Sequence, residues 1–223
     1  GLLFVGAAVE LSPGLARCGV FSMKTSAPLD LYFLLDASSS INAQGWHEEK
    51  AAAVQLIDAF LGNYAGAASQ LHVGAAQFSK VTSPSAALSN NMTQVRRELQ
   101  AMAQQGGGTN FGPALQACRT QLQPDGHNGG HAQVCVLITD GQASDDEEAA
   151  AEKELLTKAQ ISIMGIYIGS ARADADRLRD FVCGFADHCM WFATASNFAK
   201  LAEQAARIAK SIAIHVQDLD VDG

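Results

Sequence analysis

From Leu29 to Asp36 the chain is a nearly continuous apolar run, the pattern of a strand buried on both faces of a sheet. The pattern then changes period. Over Gly45 to Leu61, apolar residues recur at Val54, Ile57 and Leu61 and at Ala53, Leu56 and Phe60, the spacing of one face of a helix. Leu71 to Phe78, rich in small and β-branched residues, predicts a second strand. Val81 to Leu88 carries Pro84, which suits an edge position, so an antiparallel edge strand is expected there.

Thr93 to Ala103 and Gly112 to Leu122 have helical spacing and are separated by the turn Gly106-Gly107-Gly108-Thr109-Asn110. Ala132 to Thr139 is another buried strand. Ser144-Asp145-Asp146-Glu147 then reads as a capping box with acidic residues at the positive end of a helix that runs to about Ala159. Ile161 to Ile168 predicts a strand, Asp174 to Phe185 a helix, and Met190 to Ala193 a short last strand. Asn197 to about Ile214 predicts a final helix whose apolar stripe is Phe198, Leu201, Ala205, Ile208 and Ile212.

Strands alternating with helices imply an α/β fold: a doubly wound, mostly parallel sheet with one antiparallel edge strand and helices on both faces. Residues 1–28 show no sustained period and read as an N-terminal extension or the remnant of a leader, residues 29–214 as the folded domain, and residues 215–223 as a C-terminal tail. In such sheets ligands bind beyond the carboxyl ends of the strands, which directs attention to the residues closing each strand.

Composition narrows the partners. Hydrophobic residues make up 48% of the chain and charged ones 17%, enough to bury a core. The formal net charge of -8, without clustered Lys or Arg, argues against nucleic acid and for cations or basic surfaces. No apolar run reaches the roughly 20 residues that a membrane-spanning helix needs.

Of the five cysteines, Cys135 lies within an apolar strand and reads as a buried free thiol. Cys183 and Cys189 flank a short helix-to-strand turn and suit a disulfide, which would place the chain in an oxidising compartment, secreted or on the cell surface. Asn91-Met92-Thr93 fits a glycosylation acceptor and equally a helix start. His127 and His131 flank a glycine-rich stretch without other soft ligands and read as a solvated loop.

The strand ends hold the chemistry. Asp36-Ala37-Ser38-Ser39-Ser40 follows the first strand, Asp140-Gly141 follows Thr139 at the end of a later one, and Thr109 stands in the glycine-rich turn. Alone, Asp36 to Ser40 would be a helix cap. Together, Asp36, Ser38, Ser40, Thr109 and Asp140 are a hard oxygen set suited to Mg²⁺ or Mn²⁺ and poor for Zn²⁺. Asp36 is expected at a solvent-facing strand end. So few charged ligands leave the ion positive and open to a carboxylate from a partner.

Asp36-x-Ser38-x-Ser40, Thr109 and Thr139-Asp140-Gly141 resemble the metal ion-dependent adhesion site of von Willebrand factor A domains and integrin inserted domains. The resemblance covers roughly residues 29 to 214. It implies that Asp36, Ser38 and Ser40 hold the ion directly or through water, that Thr109 and Asp140 change contact as affinity changes, and that the last helix moves with the metal site. Thr139 through Asp145 and Ala117-Cys118-Arg119 also look like segments of parasite surface adhesins.

The implied function is divalent-metal-dependent protein binding or adhesion, by a secreted or surface protein. The alternative is an intracellular A-domain scaffold or assembly subunit, which reduced thiols at Cys183 and Cys189 would favour. The chain lacks Gly-x-Ser-x-Gly, a phosphate-cradling Gly-Lys-Ser/Thr loop and a dinucleotide fingerprint, so no enzymatic activity is expected.

Overall fold

The computed structural model describes residues 28–63, 70–123, 130–184 and 191–221. Its strands are β1 (Leu29–Asp36), β2 (Leu71–Phe78), β3 (Thr82–Ser89), β4 (Ala132–Thr139), β5 (Ile161–Ile168) and β6 (Phe192–Ala195). Its helices are α1 (Ala43–Asn63), α2 (Met92–Ala101), α3 (Phe111–Leu122), α4 (Asp146–Lys158), α5 (Arg172–Cys183) and α6 (Phe198–Val221). The strands form one sheet in the order β3-β2-β1-β4-β5-β6. All neighbours pair in parallel except β2 and β3, which are antiparallel, with Pro84 on the edge strand opposite Ala76.

The continuous apolar strands are central because both of their faces are covered. Every residue of β1 is buried. On one face, Leu31, Phe33 and Leu35 pack with Ala53, Leu56 and Phe60 of α1, Val95 and Leu99 of α2, and Leu201, Ile208 and Ile212 of α6. On the other, Tyr32, Leu34 and Leu137 pack with Leu115 of α3, Leu156 of α4 and Leu178 of α5. Alternate side chains of β1 thus serve two cores, which fixes its register.

Element boundaries moved where local chemistry outweighed periodicity. Asn42 accepts a hydrogen bond from the Gly45 amide at 2.9 Å, so α1 begins two residues before Gly45. Asn91 takes the Gln94 amide at 3.2 Å and caps α2. Helix α6 begins after Asn197, whose side chain accepts from the Lys200 amide at 2.9 Å, and runs to Val221 instead of ending near Ile214. No Pro or Gly interrupts it before Gly223. The last strand lies at Phe192–Ala195, two residues beyond the expected span, and α5 starts at Arg172 instead of Asp174.

Two side-chain expectations are corrected. Cys135 is not a free thiol: it forms a disulfide with Cys118, tying β4 to α3 across the second core. Apolar surroundings accommodate a buried disulfide as readily as a thiol, so the strand pattern could not separate them. Cys183 is also disulfide-bonded, while Cys189 and Cys18 lie outside the described residues. Asp146 and Glu147 lie in the first turn of α4 as expected, but Asp145 at its N-cap makes no side-chain bond to that helix. The Asp145 carboxylate accepts from the Phe111 and Gly112 amides at 2.8 and 2.7 Å and so caps α3.

Candidate metal centre

Strand β1 ends on Asp36, and the chain turns there because the Asp36 side chain accepts from the Ser38 amide at 2.9 Å, an aspartate turn of local origin. The Ala37 amide still bonds to Phe78 of β2 at 2.7 Å, so the turn leaves directly from the sheet. The glycine-rich loop then zips onto it. Gly106 donates to the Ala37 carbonyl at 2.8 Å, Ser39 donates to the Gly107 carbonyl at 3.0 Å, and the Gly107 amide returns a bond to Ser39 Oγ at 2.8 Å. Gly106 and Gly107 have φ of 71° and 105°, a region that side-chain-bearing residues rarely adopt.

Strand β4 lies beside β1 and delivers Thr139 and Asp140 to the same edge. Thr139 Oγ1 donates to Asp36 Oδ2 at 2.6 Å and accepts from the Gly141 amide at 3.1 Å. Ser40 Oγ donates to Asp140 Oδ1 at 2.7 Å. Since that proton is committed to the carboxylate, the 2.8 Å contact between Ser38 and Ser40 hydroxyls is donated by Ser38. Ser38, Ser40 and Asp140 therefore form one short chain of oxygen atoms, and the Ser38 amide ties it to Asp36.

Thr109 reaches the same cluster by a separate route. Its carbonyl accepts from the Ser144 amide at 2.7 Å, and a β-carbon on Gly141 would lie 3.6 Å from Thr109 Oγ1. Of the five residues singled out in the sequence, four are thus linked by hydrogen bonds at the carboxyl edge of β1 and β4, and Thr109 lies beside Gly141, the residue after Asp140.

The charge balance at this edge is negative. Asp36 is fully buried, contrary to the solvent-facing position expected of it, because α1 and the glycine-rich loop close over the strand end. Burial pushes its carboxyl up to about 6, with the nearby Asp140 adding to the rise and hydrogen bonds from Thr139 and Ser38 opposing it. Among the described residues no ion pair between a Lys or Arg and either aspartate is formed. A cation would relieve this excess, and the donor set fits a hard divalent ion.

Two further residues contribute. Thr139, part of the motif in sequence but not among its expected ligands, orients Asp36 directly through its hydroxyl. Glu49 of α1 is completely buried, accepts from the Asp36 amide at 2.9 Å through Oε1, and leaves Oε2 without a hydrogen-bond partner among the described residues. Burial, then the charge of Asp36, push its carboxyl well up. A signal for it existed: Glu49 falls between Trp46 and Ala53 on the buried stripe of its helix, where a charged residue needs a reason.

The chain is similar to known proteins in sequence and in fold. Collagen alpha-6(VI) chain of Homo sapiens is 30% identical over 192 residues, 82% of this chain. The chain spans 14% or less of the collagen VI chains it matches. Proximal thread matrix protein 1 from the mussel byssus superposes with a TM-score of 0.72 at 19% identity, covering 85% of this chain and 48% of that one. Manganese-loaded Plasmodium vivax TRAP protein superposes with a TM-score of 0.60 at 16% identity, covering 84% and 72%. These two likenesses establish the fold. The sequence model of the von Willebrand factor type A domain matches residues 30–207, which take in nearly the whole sheet and the three segments at its carboxyl edge, and the chain belongs to that family.

Proposed function

We propose that this domain binds a protein partner through a divalent cation held by Asp36, Ser38, Ser40, Thr109 and Asp140. The observation that carries the reading is the hydrogen-bonded run Ser38–Ser40–Asp140, joined at 2.8 and 2.7 Å and tied to Asp36 through the Ser38 amide at 2.9 Å, at the carboxyl edge of the sheet. A bound ion would act as a Lewis acid that accepts a carboxylate from the partner. The protein's own share is positional: Thr139 and the Ser38 amide fix the Asp36 carboxylate, and Ser40 fixes Asp140.

Oxygen-only donors favour Mg²⁺ or Mn²⁺. Nearby, Gly141, Gln142, Asp146, Asp174, Arg177 and Phe181 line a cavity of about 470 Å³ that borders the site and offers the partner a recess with both charge signs. A secreted or surface-exposed setting is supported by the Cys118–Cys135 disulfide and the bonded state of Cys183, since such bonds persist in oxidising compartments. Both argue against the intracellular scaffold reading.

The test is a pull-down from native extract with Mg²⁺ or with chelator, paired with calorimetric titration of Mg²⁺ and Mn²⁺. Partners retained only with the ion, and lost with Asp36→Ala, are expected. A folded protein with no affinity for either ion would overturn the reading.

A further inference from the structure

The amino edge of the same sheet carries a second cluster. Asp30 is the second residue of β1, His72 is its register partner on β2, and His131 immediately precedes β4 on the other side. The sheet therefore sets these three side chains on three adjacent chains about 4.8 Å apart. The strand from Asp30 to Asp36 separates this cluster from the metal edge by roughly 20 Å.

His131 was expected in a solvated loop, but its side chain is 24% exposed and Nδ1 lies 2.8 Å from Asp30 Oδ1. His72, 28% exposed, places its Nδ1 2.9 Å from the same oxygen. The rings are stacked, with centroids 5.3 Å apart and planes 19° from parallel, so both nitrogens approach the carboxylate together. The Asp30 side chain is 8% exposed, and its ion-pair partners among the described residues are these two imidazoles. One ligand atom from each residue lies within 4.8 Å of the others.

We propose that Asp30, His72 and His131 form a site for a borderline divalent transition ion, Zn²⁺ foremost. Two imidazole nitrogens and one carboxylate oxygen suit that class and not Mg²⁺, which demands oxygen ligands. Bond lengths near 2.0–2.2 Å place ligand atoms in a tetrahedral shell about 3.3 Å apart, so small ring movements would open the triad around an ion. Coordination through Nδ1 deprotonates that nitrogen and leaves Nε2–H outward on each ring. The partly exposed histidines leave a fourth position to water or to a ligand from another molecule. The ion would staple the amino ends of three neighbouring strands and stabilise the fold by mass action.

The alternative is a purely structural cluster in which two neutral imidazoles each donate Nδ1–H to Asp30. Zn²⁺ titration of Asp36→Ala, which removes a ligand of the first site, separates the two. One equivalent of Zn²⁺ is expected to bind by calorimetry, and Co²⁺ to give tetrahedral visible bands. Adding His72→Gln or His131→Gln should weaken Zn²⁺ by about 100-fold or more, given that even outer-shell changes cost 10–100-fold. Mg²⁺ affinity of His131→Gln alone should not change, so this proposal and the adhesion reading fail independently. No Zn²⁺ uptake by Asp36→Ala, or equal uptake after either histidine change, would overturn it. Imidazole ¹⁵N resonances of the folded wild-type domain give a check without variants: Zn²⁺ must shift His72 and His131, and unmoved signals would sink the proposal.

Discussion

Asp145 caps a helix that is not its own: its carboxylate lies 2.7 Å from the Gly112 amide of α3, and a β-carbon on Gly112 would come within 2.8 Å of it. The two positions are therefore matched, one by charge and one by the absence of a side chain. Asp145→Ala removes two hydrogen bonds at the positive end of α3 and should cost about 1–2 kcal/mol. Gly112→Ala should be worse, because the added carbon also meets Glu148 Cβ at 2.8 Å. Since Ser144 holds the Thr109 carbonyl, Asp145→Ala should also weaken Mg²⁺ binding. Urea unfolding and calorimetry of both variants check this, and an Asp145 variant of wild-type stability would refute the cap.

Asp36→Ala should abolish Mg²⁺ and Mn²⁺ binding while the domain stays folded. The pH dependence has a definite sign. In the chelator-treated protein, the folded Asp36 carboxyl titrates near 6 against about 3.8 unfolded, so the folded state holds its proton more tightly. Its contribution is present below the unfolded value and is lost as pH rises through 6, a penalty of about 3 kcal/mol at neutral pH. Asp36→Asn should remove that dependence and raise the metal-free melting temperature at pH 7.5 relative to wild type. Equal pH profiles for the two proteins between pH 4 and 7.5 would contradict it.

The Cys118–Cys135 link closes a span of 17 residues in the second core. Reduction or Cys118→Ala should lower stability by about 3 kcal/mol, the usual figure for a loop of this size. Peptide mapping of non-reduced native protein should recover the linked pair and show Cys183 protected from alkylation. Ready alkylation of Cys118, Cys135 and Cys183 would remove the support for an oxidising compartment.

Ile212 is buried under the sheet on α6, which packs along α1. Ile212→Ala should cost on the order of 2–5 kcal/mol. If movement of α6 is coupled to the metal edge, as the integrin resemblance implies, the loosened helix favours the displaced state, though only as far as it destabilises one state more than the other. Tighter Mg²⁺-dependent partner retention despite a lower melting temperature is expected. Unchanged or weaker retention by the folded variant would leave a rigid binding module.

The strands were legible because β1, β4 and β5 are buried on both faces and read as unbroken apolar runs, and β4 and β5 fell on their expected residues. The five residues of the candidate site were legible because each sits at a strand end or in a loop that the topology sends to one edge. What escaped notice depends on contacts between distant segments. Asp145 reads as a cap whichever helix it serves, and nothing in the local sequence names α3. Cys135 is apolar in context whether bonded or free. Asp30, His72 and His131 are polar residues at or beside the starts of three strands, and only the register of β1 with β2 and β4 shows that they meet.

The Ser40–Asp140 hydrogen bond joins residues 100 positions apart, in the turns after two strands, β1 and β4, that become neighbours only after the chain has crossed the sheet. Closing so long a loop is slow and belongs late in folding. Nascent or partly folded chains would then lack the completed candidate site, even if the first strand and its serine turn had formed. An added divalent ion should accordingly leave the refolding rate unchanged while slowing unfolding, because it binds an arrangement absent from the transition state. On the proposed reading, the domain would become able to hold a partner only as its topology closes, and a chain still being assembled would be kept from premature attachment.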